Sequence, residues 1–174
     1  MKKLRPAYQS GAVTRFHTMR TLHKQTVAEH SWGVAAVLLW LHAPALPRAE
    51  LLRAAMLHDM PEMDTGDIPA PAKWEHAELN AALDLAERAF HESHGTAAVL
   101  GALTEEEQEL LKFADMAELV LYALSEATMG NRNMLTIARR GVMHLGRTGR
   151  TFLSLRTTEL IVSLEEQIHE LEGR

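Results

Sequence analysis

Apolar residues recur at helical spacing along almost the whole chain, and no segment shows the strict alternation of a half-buried strand. A chain patterned in this way buries its apolar surface by packing helix against helix. Thr26-Val27-Ala28-Glu29 reads as a capping box that opens a helix to about His42, and Pro44 and Pro47 punctuate the turn that follows. A second helix is expected from about Arg48 to Met60, stopped by Pro61, with a loop from Glu62 to Pro71 that holds Gly66, Pro69 and Pro71. A third spans roughly Glu75 to His94 and stops at Gly95. Thr104-Glu105-Glu106-Glu107 is a second capping box, and its helix reaches about Met129 before Gly130. Two more run from about Asn133 to Leu145 and from Ser154 to Leu171. With no internal repeat and no low-complexity tract, the expectation is an all-α fold, an irregular bundle of about six or more helices in a single domain over residues 1–174.

Composition narrows the partners. The formal charge of −5 argues against binding to duplex nucleic acid, which runs on clustered Lys and Arg. It leaves room for a small anionic substrate held by a few placed cations. The chain has no cysteine, which excludes disulfides, thiolate nucleophiles and Cys-based zinc sites, so a transition metal must be held by His and carboxylate. The start, Met1-Lys2-Lys3-Leu4-Arg5-Pro6, is basic but lacks the apolar run of a signal peptide. The longest apolar stretch, Val34 to Leu41, is too short to cross a bilayer. A cytoplasmic protein without a membrane partner is expected.

The chemistry concentrates at His58-Asp59, at the end of the apolar run Leu51-Leu52-Arg53-Ala54-Ala55-Met56-Leu57. Such a pair is costly to bury unless hydrogen-bonded, ion-paired or metal-bound. His30 lies on the first turn of the helix opened by Thr26, and Asp115 sits mid-helix in Leu111-Lys112-Phe113-Ala114-Asp115-Met116-Ala117. Two imidazoles and two carboxylates form a mixed N/O set suited to a divalent ion such as zinc, cobalt, manganese or iron. Taken singly, His30 reads first as a satisfied helix-start histidine, and Asp115 has a secondary alternative as a buried ion-pair partner of Arg15 or Arg53.

The order His30, His58-Asp59, Asp115 resembles the H…HD…D signature of the HD-domain phosphohydrolases. Ala28-Glu29-His30-Ser31, His58-Asp59-Met60-Pro61-Glu62, Thr65-Gly66-Asp67-Ile68-Pro69-Ala70-Pro71-Ala72-Lys73 and Phe113-Ala114-Asp115 are similar to the YfbR-type bacterial 5′-deoxynucleotidases. They are equally similar to the small DatZ-type phage dATP triphosphohydrolases. The resemblance runs from about Arg15 to Met134. It implies His30, His58, Asp59 and Asp115 as metal ligands, Glu62 as the general base, and Asp67 as a second carboxylate that orients the water or a sugar hydroxyl. It implies Arg15 and Lys73 as phosphate-binding cations, and Phe16, Thr18 and Pro71 as the lining of the sugar and base pocket. Phe16 stands where the deoxynucleotidases carry a tryptophan.

On the residues alone, Glu62 and Asp67 serve equally well as loop carboxylates capping the next helix, Lys73 as an exposed cation, and Phe16 as core packing. Three functions therefore compete. The first is a dATP-preferring dNTP triphosphohydrolase, which releases deoxynucleoside and triphosphate. The second is a 5′-deoxynucleotidase, which releases phosphate from a monophosphate. The third is a non-catalytic, metal-stabilised helical binding module. The resemblance to phage enzymes also places a viral form in the host cytoplasm. A homo-oligomer, dimer or larger, is expected through apolar terminal segments such as Thr151-Phe152-Leu153 and Leu160-Ile161-Val162.

Overall fold

The computed structural model describes residues 4–148 and 154–173, so Thr151-Phe152-Leu153 lies outside the described residues. The order is α1 (Leu4–Ser10), α2 (Val27–His42), α3 (Ala49–Leu57), α4 (Glu62–Thr65), α5 (Ala70–Glu75), α6 (Ala77–His94), α7 (Ala97–Gly101) and α8 (Glu105–Thr128), followed by a 3-10 turn (Arg132–Met134), α9 (Leu135–Thr148) and α10 (Leu155–Glu172). Among the described residues there is no strand. A single antiparallel bridge joins Thr14 to Thr26. No helix among them is long and apolar enough to cross a membrane.

Both expected capping boxes are present. The Thr26 hydroxyl accepts the Glu29 N–H, and the Glu29 carboxylate accepts the Thr26 N–H at 2.7 Å. Thr104 and Glu107 repeat the exchange at the start of α8. The Arg48–Met60 helix is shorter than expected and ends at Leu57. From there the chain tightens into i+3 bonds, Met60 N–H to Leu57 C=O at 3.2 Å and Glu62 N–H to Asp59 C=O at 3.1 Å. Pro61 has no N–H to donate and disfavours helical backbone at Met60. The segment expected as a loop, Glu62 to Pro71, instead holds α4 and the start of α5. His76 leaves the helical region (φ −124°, ψ 87°), so α6 begins at Ala77 and not at Glu75. Helices α1 and α7 were not expected from the sequence; seven and five residues are too few to display a period.

Helix α8 is the axis of the core, with Phe113, Ala114, Ala117, Val120, Ala123 and Leu124 buried. Helix α2 lays the stripe Val27, His30, Ser31, Val34, Val37 and Leu38 against its neighbours α3 and α8. The approach is close at Gly33, where a Cβ would fall 2.6 Å from Glu118 Cγ. Leu51, Ala54 and Ala55 of α3 are also buried, and a fully buried leucine contributes about 1.5–3 kcal/mol. This packing carries His30 into the interior opposite α8, beside the C-terminal end of α3. Of the terminal segment expected at an interface, Leu160 and Ile161 are partly buried and Val162 is 46% exposed.

Glu126 pins the loop that leads into this site. Its fully buried carboxylate accepts the Leu22 N–H at 2.7 Å, the His23 N–H at 2.6 Å and Asn131 Nδ2 at 2.9 Å. Burial opposes the charge, but bonds from Asn131, Leu22 and His23 outweigh it and hold the carboxyl below its ordinary value. A carboxyl depressed on folding stabilises above its unfolded pKa, and that contribution drains as pH falls through the folded value. Glu126→Ala should lower stability at neutral pH by about 1–3 kcal/mol. The gap in thermal unfolding between wild type and variant should narrow in acid, and equal melting temperatures at pH 7 would refute the assignment.

Candidate metal centre

His30, in the first turn of α2, is fully buried. Its Nδ1 faces Glu118 Oε2 at 2.5 Å, while Nε2 lies 3.1 Å from Asp115 Oδ1 and 3.3 Å from Asp59 Oδ2. His58 caps α3, donates from Nδ1 to the Ala55 carbonyl at 3.0 Å, and holds Nε2 3.4 Å from Asp59 Oδ1. The ligand atoms of His30, His58 and Asp115 lie within 4.8 Å of one another. Asp59 stands between the two imidazoles, with one oxygen near each Nε2.

Both Nε2 atoms are buried and have no hydrogen-bond partner. A carboxylate and a carbonyl can only accept, so each Nδ1 carries a proton, and in the neutral ring the lone pair falls at Nε2. Two such lone pairs converging on carboxylates fit a divalent cation, with Glu118 and the Ala55 carbonyl supplying the outer hydrogen bonds that orient the rings. In the metal-free cluster, burial opposes a second proton on His30, yet Asp115, Asp59 and Glu118 prevail and raise its pKa well above the ordinary value. Burial likewise opposes ionisation of Asp59, but His58, His30 and Arg15 hold it well below the usual range.

Arg15 reaches the cluster because its N–H bonds the Gln25 carbonyl at 2.9 Å, next to the Thr14–Thr26 bridge. Its Nη1 lies 2.6 Å from Asp59 Oδ2 and 3.5 Å from Glu62 Oε1, and its Nε is buried without a partner. Burial works against the guanidinium charge, but Asp59, Glu62, Asp115 and Asp67 together keep it protonated. Glu62 follows Asp59 through the tightened turn and leaves Oε2 unpartnered. Burial first, then Asp59, pushes its carboxyl up to about 8 against the pull of Arg15.

The other expected residues fall in different places. Asp67 Oδ2 accepts the Phe16 N–H at 2.8 Å. That bond holds Phe16 at φ 54°, a left-handed conformation rare for a bulky residue. The Phe16 ring stacks on Tyr122 at 4.9 Å and is partly buried. Lys73 stands 4.0 Å from Glu87 on α6. Thr18 and Pro71 are exposed, and no bond joins either to the cluster. Of the alternative mates of Asp115, Arg15 makes its direct contact with Asp59 and acts on Asp115 through its charge, and Arg53 is exposed. Sequence reasoning missed Glu118 and Gln25, whose side chains bond at 2.6 Å. The signal for Glu118 was a second carboxylate one turn after Asp115 in the same apolar run. A groove of about 920 Å³ is lined by α2, α8 and α10, with Trp32, Trp40, Leu121 and Leu160 in its walls. Of the cluster only Glu118 lines it, and its lining holds no Lys or Arg for a phosphate.

A family model described as 5′-deoxynucleotidase YfbR-like matches residues 11–150. The chain is 33% identical over 115 residues to the dATP triphosphohydrolase of Cyanophage S-2L, a stretch that covers 63% of this chain and 63% of that enzyme. The aligned part is thus just under two thirds of the phage protein. It is 30% identical over 150 residues to a 5′-deoxynucleotidase of Vibrio vulnificus, covering 74% of this chain and 76% of the relative. Among solved structures it is similar to the Cyanophage S-2L HD phosphohydrolase bound to dA and one catalytic Zn2+ ion, with a TM-score of 0.67 at 23% identity over 95% of this chain and 96% of that one. This likeness establishes the all-helical fold.

Removing one member of a buried ion pair leaves the other uncompensated and costs about 3–5 kcal/mol. Arg15→Met should therefore lower the melting temperature of the metal-free protein, and saturating zinc should raise it by a larger increment than in wild type. Circular dichroism melts with and without zinc check this. An unchanged melting temperature for the metal-free variant would contradict it.

Proposed function

Since the chain belongs to the YfbR-like family of HD-domain phosphohydrolases, we propose that it hydrolyses deoxynucleotides at the α-phosphorus, as a dNTP triphosphohydrolase that favours dATP. The observation that carries the reading is the pair of imidazoles with Nδ1 anchored and Nε2 turned to Asp59 and Asp115, beside the unpartnered oxygen of Glu62. The preference for a triphosphate is supported by the 33% identity to the phage dATP triphosphohydrolase.

A divalent ion held by His30, His58, Asp59 and Asp115 would acidify a water and polarise the phosphoryl group. Glu62, whose Oε2 is buried beside the cluster without a partner, takes the proton of the attacking water. The water oxygen bonds to the α-phosphorus, the bond to O5′ breaks, and the proton ends on the departing O5′. Arg15 turns its unpartnered Nε and its fork toward phosphate oxygens. Lys73 leaves its marginal pairing with Glu87 to meet the phosphates farther out. Asp67, with one oxygen on the Phe16 N–H, offers the other to water or a sugar hydroxyl. Thr18 and Pro71 border the nucleoside.

A second reading has its own support. The matching family model is described by 5′-deoxynucleotidase activity, and the Vibrio relative shares that description over a longer stretch. The same cluster serves a monophosphate, and the two reactions differ in the room and charge beyond the first phosphate.

Metal-loaded protein incubated separately with dATP and dAMP distinguishes them by product. Deoxyadenosine and intact triphosphate from dATP are expected. Turnover of dAMP alone would establish the monophosphatase instead. Glu62→Ala should cut kcat by roughly 100- to 10,000-fold while zinc still binds. A variant with undiminished turnover would remove Glu62 from the chemistry, and a wild type that turns over neither nucleotide would favour the binding-module reading.

A further inference from the structure

We propose that Glu118 is the positioning residue of the metal centre, holding His30 in the ligating tautomer and tying the Arg15 segment to the same helix. The proposal rests on the metal reading of this cluster and assigns a role that the ligand set does not include.

Glu118 lies one turn after Asp115 on α8, and residues so spaced share a helical face. The two carboxylates thereby address opposite nitrogens of one ring, Asp115 at Nε2 and Glu118 at Nδ1. Glu118 is 7% exposed, and both of its oxygens are used: Oε2 at His30 Nδ1, 2.5 Å, and Oε1 at Gln25 Nε2, 2.6 Å. Both partners are donors, and a carboxylate is the side chain that accepts from two donors through two oxygens. Helix α2 is shaped around it. His30 makes the bond, and Gly33, three residues on, leaves the space, since a Cβ there would fall 2.6 Å from Glu118 Cγ and 3.0 Å from Oε1.

The second bond extends the reach. Gln25 is buried, and its backbone carbonyl is the acceptor that places Arg15. Glu118 thus connects the ligand His30 to the segment that carries the phosphate-facing arginine. It touches neither the ligand-side nitrogen nor the space beyond it, so it acts through His30. An acceptor behind an imidazole raises the basicity of the ligating nitrogen and fixes ring direction, and loss of such a partner typically weakens metal binding about 10- to 100-fold.

The test is zinc affinity by chelator competition for the full-length wild type, Glu118→Gln and Glu118→Ala, with circular dichroism of each metal-free protein as the folding control. The glutamine variant keeps one acceptor oxygen for the Nδ1 proton and loses the charge; the alanine variant loses both. We expect Glu118→Ala to bind zinc roughly 100-fold more weakly and Glu118→Gln to recover part of that loss. Nitrogen-15 NMR of the zinc-loaded wild type should show the His30 Nδ1 protonated and hydrogen-bonded. If Glu118→Ala does not fold, Glu118→Gln decides, with weakened zinc binding expected. Wild-type affinity in every folded variant would overturn the proposal, because a role in helix packing alone moves the melting temperature and not the affinity. A wild type that binds no zinc would instead bring down the metal reading beneath it.

Discussion

The burial of His30 is the constraint around which the fold and the site are arranged. An imidazole with no access to water must have both ring nitrogens answered. One is answered by Glu118 and the other faces Asp115 and Asp59. Meeting that demand brings α2 against α8 at Gly33, sets the end of α3 beside α2, and requires that the chain before α2 fold back so Arg15 reaches Asp59. The Thr26 capping box belongs to the same requirement. It fixes where α2 begins, and so which residue of its first turn faces inward.

The charge balance points the same way. Asp59, Glu62, Asp67 and Asp115 surround Arg15, so acidic groups outnumber the cation available to them. Such a cluster favours a further positive charge, and the unpartnered Nε2 atoms mark where its ligands converge. Under the proposed function, phosphate oxygens meet that charge and Arg15 together, so a net charge of −5 is compatible with an anionic substrate.

Much of the fold was legible in the sequence because long amphipathic helices announce themselves. The Thr26 and Thr104 boxes located the starts of α2 and α8 to the residue, and Gly95 and Gly130 both adopt the positive φ that ends a helical run. Helices of four to seven residues were not legible, since α1, α4, α5 and α7 are held by neighbours and not by a period of their own. At the site, His58-Asp59 and Asp115 stood out as charged groups in apolar runs, and the structure brings them to His30. Glu118 did not stand out, because a glutamate on a helix rich in glutamate reads as solvated until α2 is laid over it. Phe16 and Asp67 illustrate the opposite limit. The bond between them depends on a left-handed backbone that no spacing rule anticipates. Lys73 was legible as a cation but not as the partner of Glu87 across the α5–α6 break.

Anomalous diffraction at the zinc edge, from crystals of zinc-loaded protein, tests the central claim most directly. The account predicts one strong peak per chain, about 2.0–2.2 Å from His30 Nε2, His58 Nε2 and an oxygen each of Asp59 and Asp115, with Glu118 still on Nδ1. A well-ordered cluster without a peak, or a peak elsewhere with Arg15 still paired to Asp59, would contradict it.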